Sequence, residues 1–137
     1  MKIIVDTNLW ISFLIGKKLS IMRQLLSDKK LTIYICDTLI NEFKDVSSRD
    51  KIKKYVSEKD VADTLQLMES FCKQIDIRKK ASSPIRDIKD LYLLSLADTI
   101  PADYIITGDK DLLVLQEHNQ TKILTYQEFL EIKGSVR

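Results

Sequence analysis

Ile3-Ile4-Val5 sets three β-branched residues in a row, and the residue that follows is Asp6. An unbroken apolar run of this kind suits a strand covered on both faces, as in a parallel sheet. In an open α/β sheet, ligands bind in the crevice beyond the carboxyl ends of the strands, and Asp6 would stand at that edge. A plainer account exists. Asp, Thr and Asn are all good helix caps, and Asp6-Thr7-Asn8 precedes a helical pattern. On this stretch alone the cap is the stronger reading.

The same punctuation recurs along the chain. Residues 9–15 are heavily apolar and end at Gly16, a common residue just past a helix, so a buried first helix with Trp10 in the core is expected. A second helical pattern runs from Leu19 to Ser27. Residues 31–35 read as a second strand. Asp37 and Thr38 then serve as a plausible cap for a helix to about Val46, with Leu39, Phe43 and Val46 on its buried stripe. Glu42 falls on the margin of that stripe. It is either a rim acid favoured by the helix dipole or an acid with work to do, because Glu is rarely buried unpaired.

Residues 47–56 are polar and basic and predict a short helix or an exposed clip. Ser57-Glu58-Lys59-Asp60 opens an amphipathic helix carrying Val61, Leu65, Met68 and Cys72, with Phe71 beside them. A third strand is expected at 75–77 and a polar loop at 78–86. Asp87 and Asp90, spaced like a capping box, open the most apolar helix of the chain, which Pro101 stops. Residues 104–107 form a fourth strand, and Gly108 offers a tight turn into a helix over 110–117 capped by Asp109. A fifth strand at 123–124 and a helix over 127–132 finish the chain. Alternating strands and helices predict a three-layer α/β/α domain with a mainly parallel sheet of about five strands. At 137 residues the chain is expected to form a single domain, residues 1–137.

Composition narrows the chemistry. His118 is the sole histidine, which argues against histidine-rich zinc sites and a Ser-His-Asp hydrolase. Cys36 and Cys72 are expected to be buried, reduced thiols. No stretch approaches the ~20 apolar residues of a membrane span, and the N-terminus reads as a strand instead of a signal peptide, so a cytoplasmic location is expected. Net charge is only +2. Basic clusters at 17–18, 29–30, 49–54 and 78–80 each read as solvated surface, yet together they permit a polyanionic substrate.

Asp6, Glu42 and Asp109 each follow a predicted strand, and Asp90 opens the helix leading into the fourth. In a doubly wound sheet such positions converge on one crevice. Four carboxylates crowded there repel one another and are costly to bury unpaired. A hard divalent cation resolves the conflict, and an all-carboxylate set suits Mg²⁺ or Mn²⁺.

Taken together, Val5-Asp6-Thr7-Asn8, the Glu42 helix, Arg86-Asp87-Ile88-Lys89-Asp90 followed by Leu93-Leu94 and Leu96-Ala97, and the block Ala-Asp-Tyr-Ile-Ile-Thr-Gly-Asp-Lys-Asp-Leu-Leu at 102–113 resemble a PIN domain. The nearest likeness is to the branch of toxin components of type II toxin–antitoxin systems, and it runs in order along nearly the whole chain. The resemblance implies a PIN-like, Rossmann-like fold and a Mg²⁺- or Mn²⁺-dependent endonuclease acting on RNA. It places the acids on Asp6, Glu42, Asp90 and Asp109, with Asp111 as an outer ligand and Asn8 and Thr107 as polar supports. It also implies an antitoxin partner and a homodimer. Ile88 departs from the Pro that many relatives carry there.

Two other readings stand beside this one. A catalytically silent PIN-like module would bind RNA or protein with the acids neutralised. A Mg²⁺-dependent phosphotransfer domain would use carboxylates at the same sheet edge. However, Asn8 occupies the position where a dehalogenase-like phosphatase needs a second Asp, and Arg78 follows strand three where a receiver needs its phosphoacceptor Asp.

Overall fold

A computed structural model describes residues 1–77 and 91–135. The expected loop at 78–86 and the helix opening at Asp87 and Asp90 lie outside the described residues.

The first strand, β1 (Lys2–Val5), buries Ile3, Ile4 and Val5 almost completely. It pairs in parallel with β2 (Thr32–Ile35) on one side and β4 (Tyr104–Ile106) on the other. Outward from β2 lies β3 (Lys73–Gln74), and outward from β4 lie β6 (Thr121–Leu124) and the short antiparallel β5 (Glu117–His118). The order among the described residues is β3-β2-β1-β4-β6-β5. From β1 the chain first builds towards β3 and later returns to build from β4 towards β6. The reversal of strand order therefore falls between β1 and β4.

Nine-residue α1 (Thr7–Ile15) buries Trp10, Ile11, Phe13 and Leu14. It touches α2 (Leu19–Ser27) and α3 (Asp37–Ser47), and α5 (Glu58–Phe71) packs on both of these. The last helix, α8 (Tyr126–Ser135), joins this layer through an edge-on contact of Tyr126 with Phe13 and a Lys133–Asp28 ion pair at 3.1 Å. The short α4 (Asp50–Lys53) sits between α3 and α5. Right-handed crossovers place α6 (Leu91–Thr99), packed on β4, and α7 (Lys110–Leu113), packed on β6, on the opposite face. Leu93, Leu94, Leu96 and Ala97 of α6 are fully buried, as a helix apolar all round should be. The result is a three-layer α/β/α architecture.

Several expectations shift. The third strand comes two residues early, although Ile75 N–H still donates to Ile35 O at 2.9 Å. The helix expected over 110–117 is a single turn, because Glu117 and His118 fold back along β6 as an edge strand. Asn119 makes that turn with φ 53°, a conformation Asn tolerates better than most residues. Its Nδ2 donates to Asp98 Oδ1 at 2.7 Å, and His118 Nε2 lies 3.0 Å from Asp98 Oδ2, so the hairpin is pinned to the end of α6. Gly108 has no positive φ and open space at its missing Cβ, so the turn there does not need glycine. Phe71 is 62% exposed and lies off the buried stripe of α5.

At the end of α1 the left-handed residue is Lys17 (φ 54°), one position after the glycine that sequence favours. Lys18 N–H donates to Phe13 O at 2.8 Å and Lys17 N–H to Leu14 O at 3.2 Å, the two bonds of a Schellman close. Cys36 is buried and Cys72 half-buried, both as free thiols. The β2–β3 register sets them three residues apart along neighbouring strands, about 10 Å, beyond disulfide reach.

Candidate metal centre

Parallel register brings three strand ends level. Val5 pairs with Ile106, and Ile3 pairs with Ile33 two residues before Ile35. The next residues, Asp6, Thr107 and Cys36, therefore stand side by side at the carboxyl edge, with Asp6 and Thr107 flanking the β1–β4 reversal. Asp6 N–H continues the ladder by donating to Ile106 O at 2.9 Å. This is where an open α/β sheet forms its binding crevice.

Asp6 occupies the cap position of α1, but its side chain makes no capping hydrogen bond. The carboxylate turns instead towards β4, where Thr107 Oγ1 donates to Asp6 Oδ2 at 2.7 Å. Thr107 Oγ1 itself accepts from Asp109 N–H at 3.0 Å, which commits the threonine proton to Asp6. A short relay thus runs from the Asp109 backbone through Thr107 to Asp6, each bond polarising the next. Asp6 is 1% exposed, and its Oδ1 is buried without a hydrogen-bond partner. Among the described residues only Trp10 Nε1 shares that condition. Burial pushes the Asp6 carboxyl above its ordinary value. Thr107 and the nearby amides of Asn8 and Thr7 pull it down, and the charge of Asp109 adds to the rise.

Asp109 caps α7 as expected, its Oδ1 accepting from Asp111 N–H at 2.9 Å. Asp111 and Asn8 are exposed at the rim. Glu42 is half-buried on α3; burial raises the buried Cys36 thiol and the half-buried Tyr92 phenol above their ordinary values, and the Glu42 charge adds to both. Asp90 lies outside the described residues. Among the described residues no three His, Cys, Asp or Glu side chains are grouped closely enough to share one ion.

Asp37, read in the sequence as a cap, is instead the first residue inside α3, and its Oδ1 accepts from Gln74 Nε2. Tyr92 read as one apolar position of α6. Its hydroxyl lies 3.1 Å from Thr7 Oγ1, and the sequence signal for that was a phenol in an otherwise aliphatic turn.

A buried carboxylate oxygen with no donor is expensive. A hard cation satisfies it without a proton, so the chemistry of the Asp6 carboxylate fits a divalent ion, with Asp109 at the same sheet edge.

A sequence profile of the PIN domain matches residues 2–111. The chain belongs to the PIN domain family. An uncharacterized protein from Methanocaldococcus jannaschii is 28% identical over 147 aligned positions, covering 96% of this chain and 90% of its own length. Among solved structures, VapBC2 from Rickettsia felis, crystallised on a DNA fragment from its promoter, superposes with a TM-score of 0.56 at 17% identity, covering 90% of this chain and 97% of that one. The PIN domain of T. brucei RRP44 superposes with a TM-score of 0.52 at 17% identity, covering 97% of this chain and 81% of that one. At such identities the two structures speak for the PIN fold. Among the described residues no helix is long and apolar enough to cross a membrane.

Proposed function

We propose that this PIN domain is a metal-dependent endoribonuclease that hydrolyses RNA phosphodiester bonds and serves as the toxin of a toxin–antitoxin pair. The unpaired, buried Asp6 Oδ1 at the strand-order reversal is the observation that carries this reading. PIN domains are generally nucleases, and the fold shared with VapBC2 supports the toxin role. In this reading Asp6, Glu42, Asp90 and Asp109 hold Mg²⁺ or Mn²⁺, and Asp111 contributes from outside. Thr107 holds the Asp6 carboxylate in place while Asn8 borders the crevice. A divalent cation at this edge supplies a water nucleophile at neutral pH and offsets charge on phosphate oxygens. The protein's own part is positional: burial excludes water from Asp6, and the Thr107 bond occupies Oδ2 while Oδ1 would be left to hold an ion. An antitoxin acts by covering the crevice, and the active species is a homodimer.

Single-stranded RNA incubated with Mn²⁺ tests the chemistry. Cleavage by the wild type and none by Asp6→Asn or Asp90→Asn, with both variants folded by circular dichroism, is expected. Cleavage that survives in both variants, or in excess chelator, overturns the assignment. Strong expression should arrest growth, relieved by co-expressing a small protein encoded alongside. Normal growth would remove the toxin role and leave the nuclease standing.

A further inference from the structure

The main chain of Asp6 is held by Ile106 O and by Leu9 N–H, each at 2.9 Å. Thr107 grips the carboxylate itself. A further hold acts on the next residue along. Thr7 is fully buried at the start of α1, and its Oγ1 lies 3.1 Å from the hydroxyl of Tyr92 in the first turn of α6. This bond joins two elements on opposite faces of the sheet, 85 residues apart in the chain. It crosses the same β1–β4 reversal that the candidate site occupies. The Tyr92 ring packs against the core, so the phenol reaches Thr7 from a fixed base. Burial, with a smaller push from the charges of Glu42 and Asp6, raises the phenol above its ordinary value, so it keeps its proton.

We infer that Tyr92 is a positioning residue, whose hydrogen bond to Thr7 fixes the backbone after Asp6 and thereby the direction of the unpaired Oδ1. Thr107 holds Oδ2 from β4, and the Tyr92 bond ties the residue after Asp6 to α6. Ligand atoms must be held to within about 0.5 Å for full metal affinity. Loss of a group that orients a ligand typically weakens metal binding 10–100-fold. The inference rests on Asp6 being a metal ligand.

Mn²⁺ titrations followed by electron paramagnetic resonance, which counts free ion without reference to catalysis, test it. Tyr92→Phe keeps the ring and removes the hydroxyl, Thr7→Val removes the other partner, and Thr7→Ser keeps it. Tyr92→Phe and Thr7→Val should each weaken Mn²⁺ binding about tenfold. The double variant should be no weaker than the weaker single, and Thr7→Ser should match the wild type. Thermal unfolding in chelator should move by only a few degrees. Wild-type Mn²⁺ affinity in Tyr92→Phe, even with a lowered melting temperature, overturns the positioning role, as do single losses that add in full in the double. A wild type that binds no Mn²⁺ is a different result: it removes the metal-dependent reading above and this inference with it.

Discussion

Asp6 is an acid whose surroundings oppose its charge. Burial outweighs the Thr107 bond and the nearby amides, so folded Asp6 keeps its proton to higher pH than unfolded Asp6 does. Asp6 favours the fold fully below its ordinary value of 3.8, and that support is lost as pH rises through the raised folded value. At neutral pH without metal, the ionised side chain is a penalty. Asp6→Asn should therefore be more stable than the wild type in chelator at pH 7, by about 0.5–2 kcal/mol, the usual scale of gain at such sites. The gain should shrink as pH approaches 4, and denaturant melts at the two pH values measure it. A gain independent of pH would contradict this account of Asp6. Thr107→Val removes the donor to Asp6 Oδ2 and the acceptor for Asp109 N–H, leaving buried polar groups unpaired. It should cost about 1–3 kcal/mol, whereas Thr107→Ser should behave nearly as wild type in the same melts.

The close of α1 shows how an element can be read correctly and its punctuation missed. Gly16 ends the helix, yet its φ of −77° needs no glycine, and Lys17 takes the left-handed conformation instead. A side chain there costs roughly 1–2 kcal/mol, partly offset because glycine would loosen the unfolded chain. Lys17→Gly should raise stability by about 0.5–1 kcal/mol, seen as a higher denaturant midpoint with unchanged slope. A lower midpoint would mean that the lysine side chain contributes more than its backbone strain costs. At α5 the local signal was sufficient: Ser57 Oγ accepts from Asp60 N–H at 3.1 Å, and Asp60 Oδ2 accepts from Ser57 N–H at 3.5 Å. Capping boxes are legible because both partners lie within four residues. The β5 edge strand was not legible, because two residues pair only once β6 is present to receive them.

At the scale of the molecule, the proposed ion would couple binding to folding. A divalent ion that binds the folded chain alone stabilises it by about 2.7 kcal/mol at a concentration 100 times its Kd. Mn²⁺ or Mg²⁺ should raise the melting temperature of the wild type, chelator should reverse the rise, and Asp6→Asn should show neither. Equal shifts in the variant would place the ion elsewhere. Most strand and helix positions, and the acids that follow strands one, two and four, could be read locally. Runs of Ile and Val, helical spacing and turn residues act over a few positions. Which acids face one another could not. Thr107 meets Asp6 across 101 residues and Tyr92 meets Thr7 across 85, and those meetings exist only because β1 and β4 lie side by side in parallel register. The amino-acid order thus determined the main strands and helices and the acidic residues that follow them. Tertiary structure alone decided that one Asp6 oxygen would be hydrogen-bonded and the other left bare, because that depends on which distant strand lies next to it.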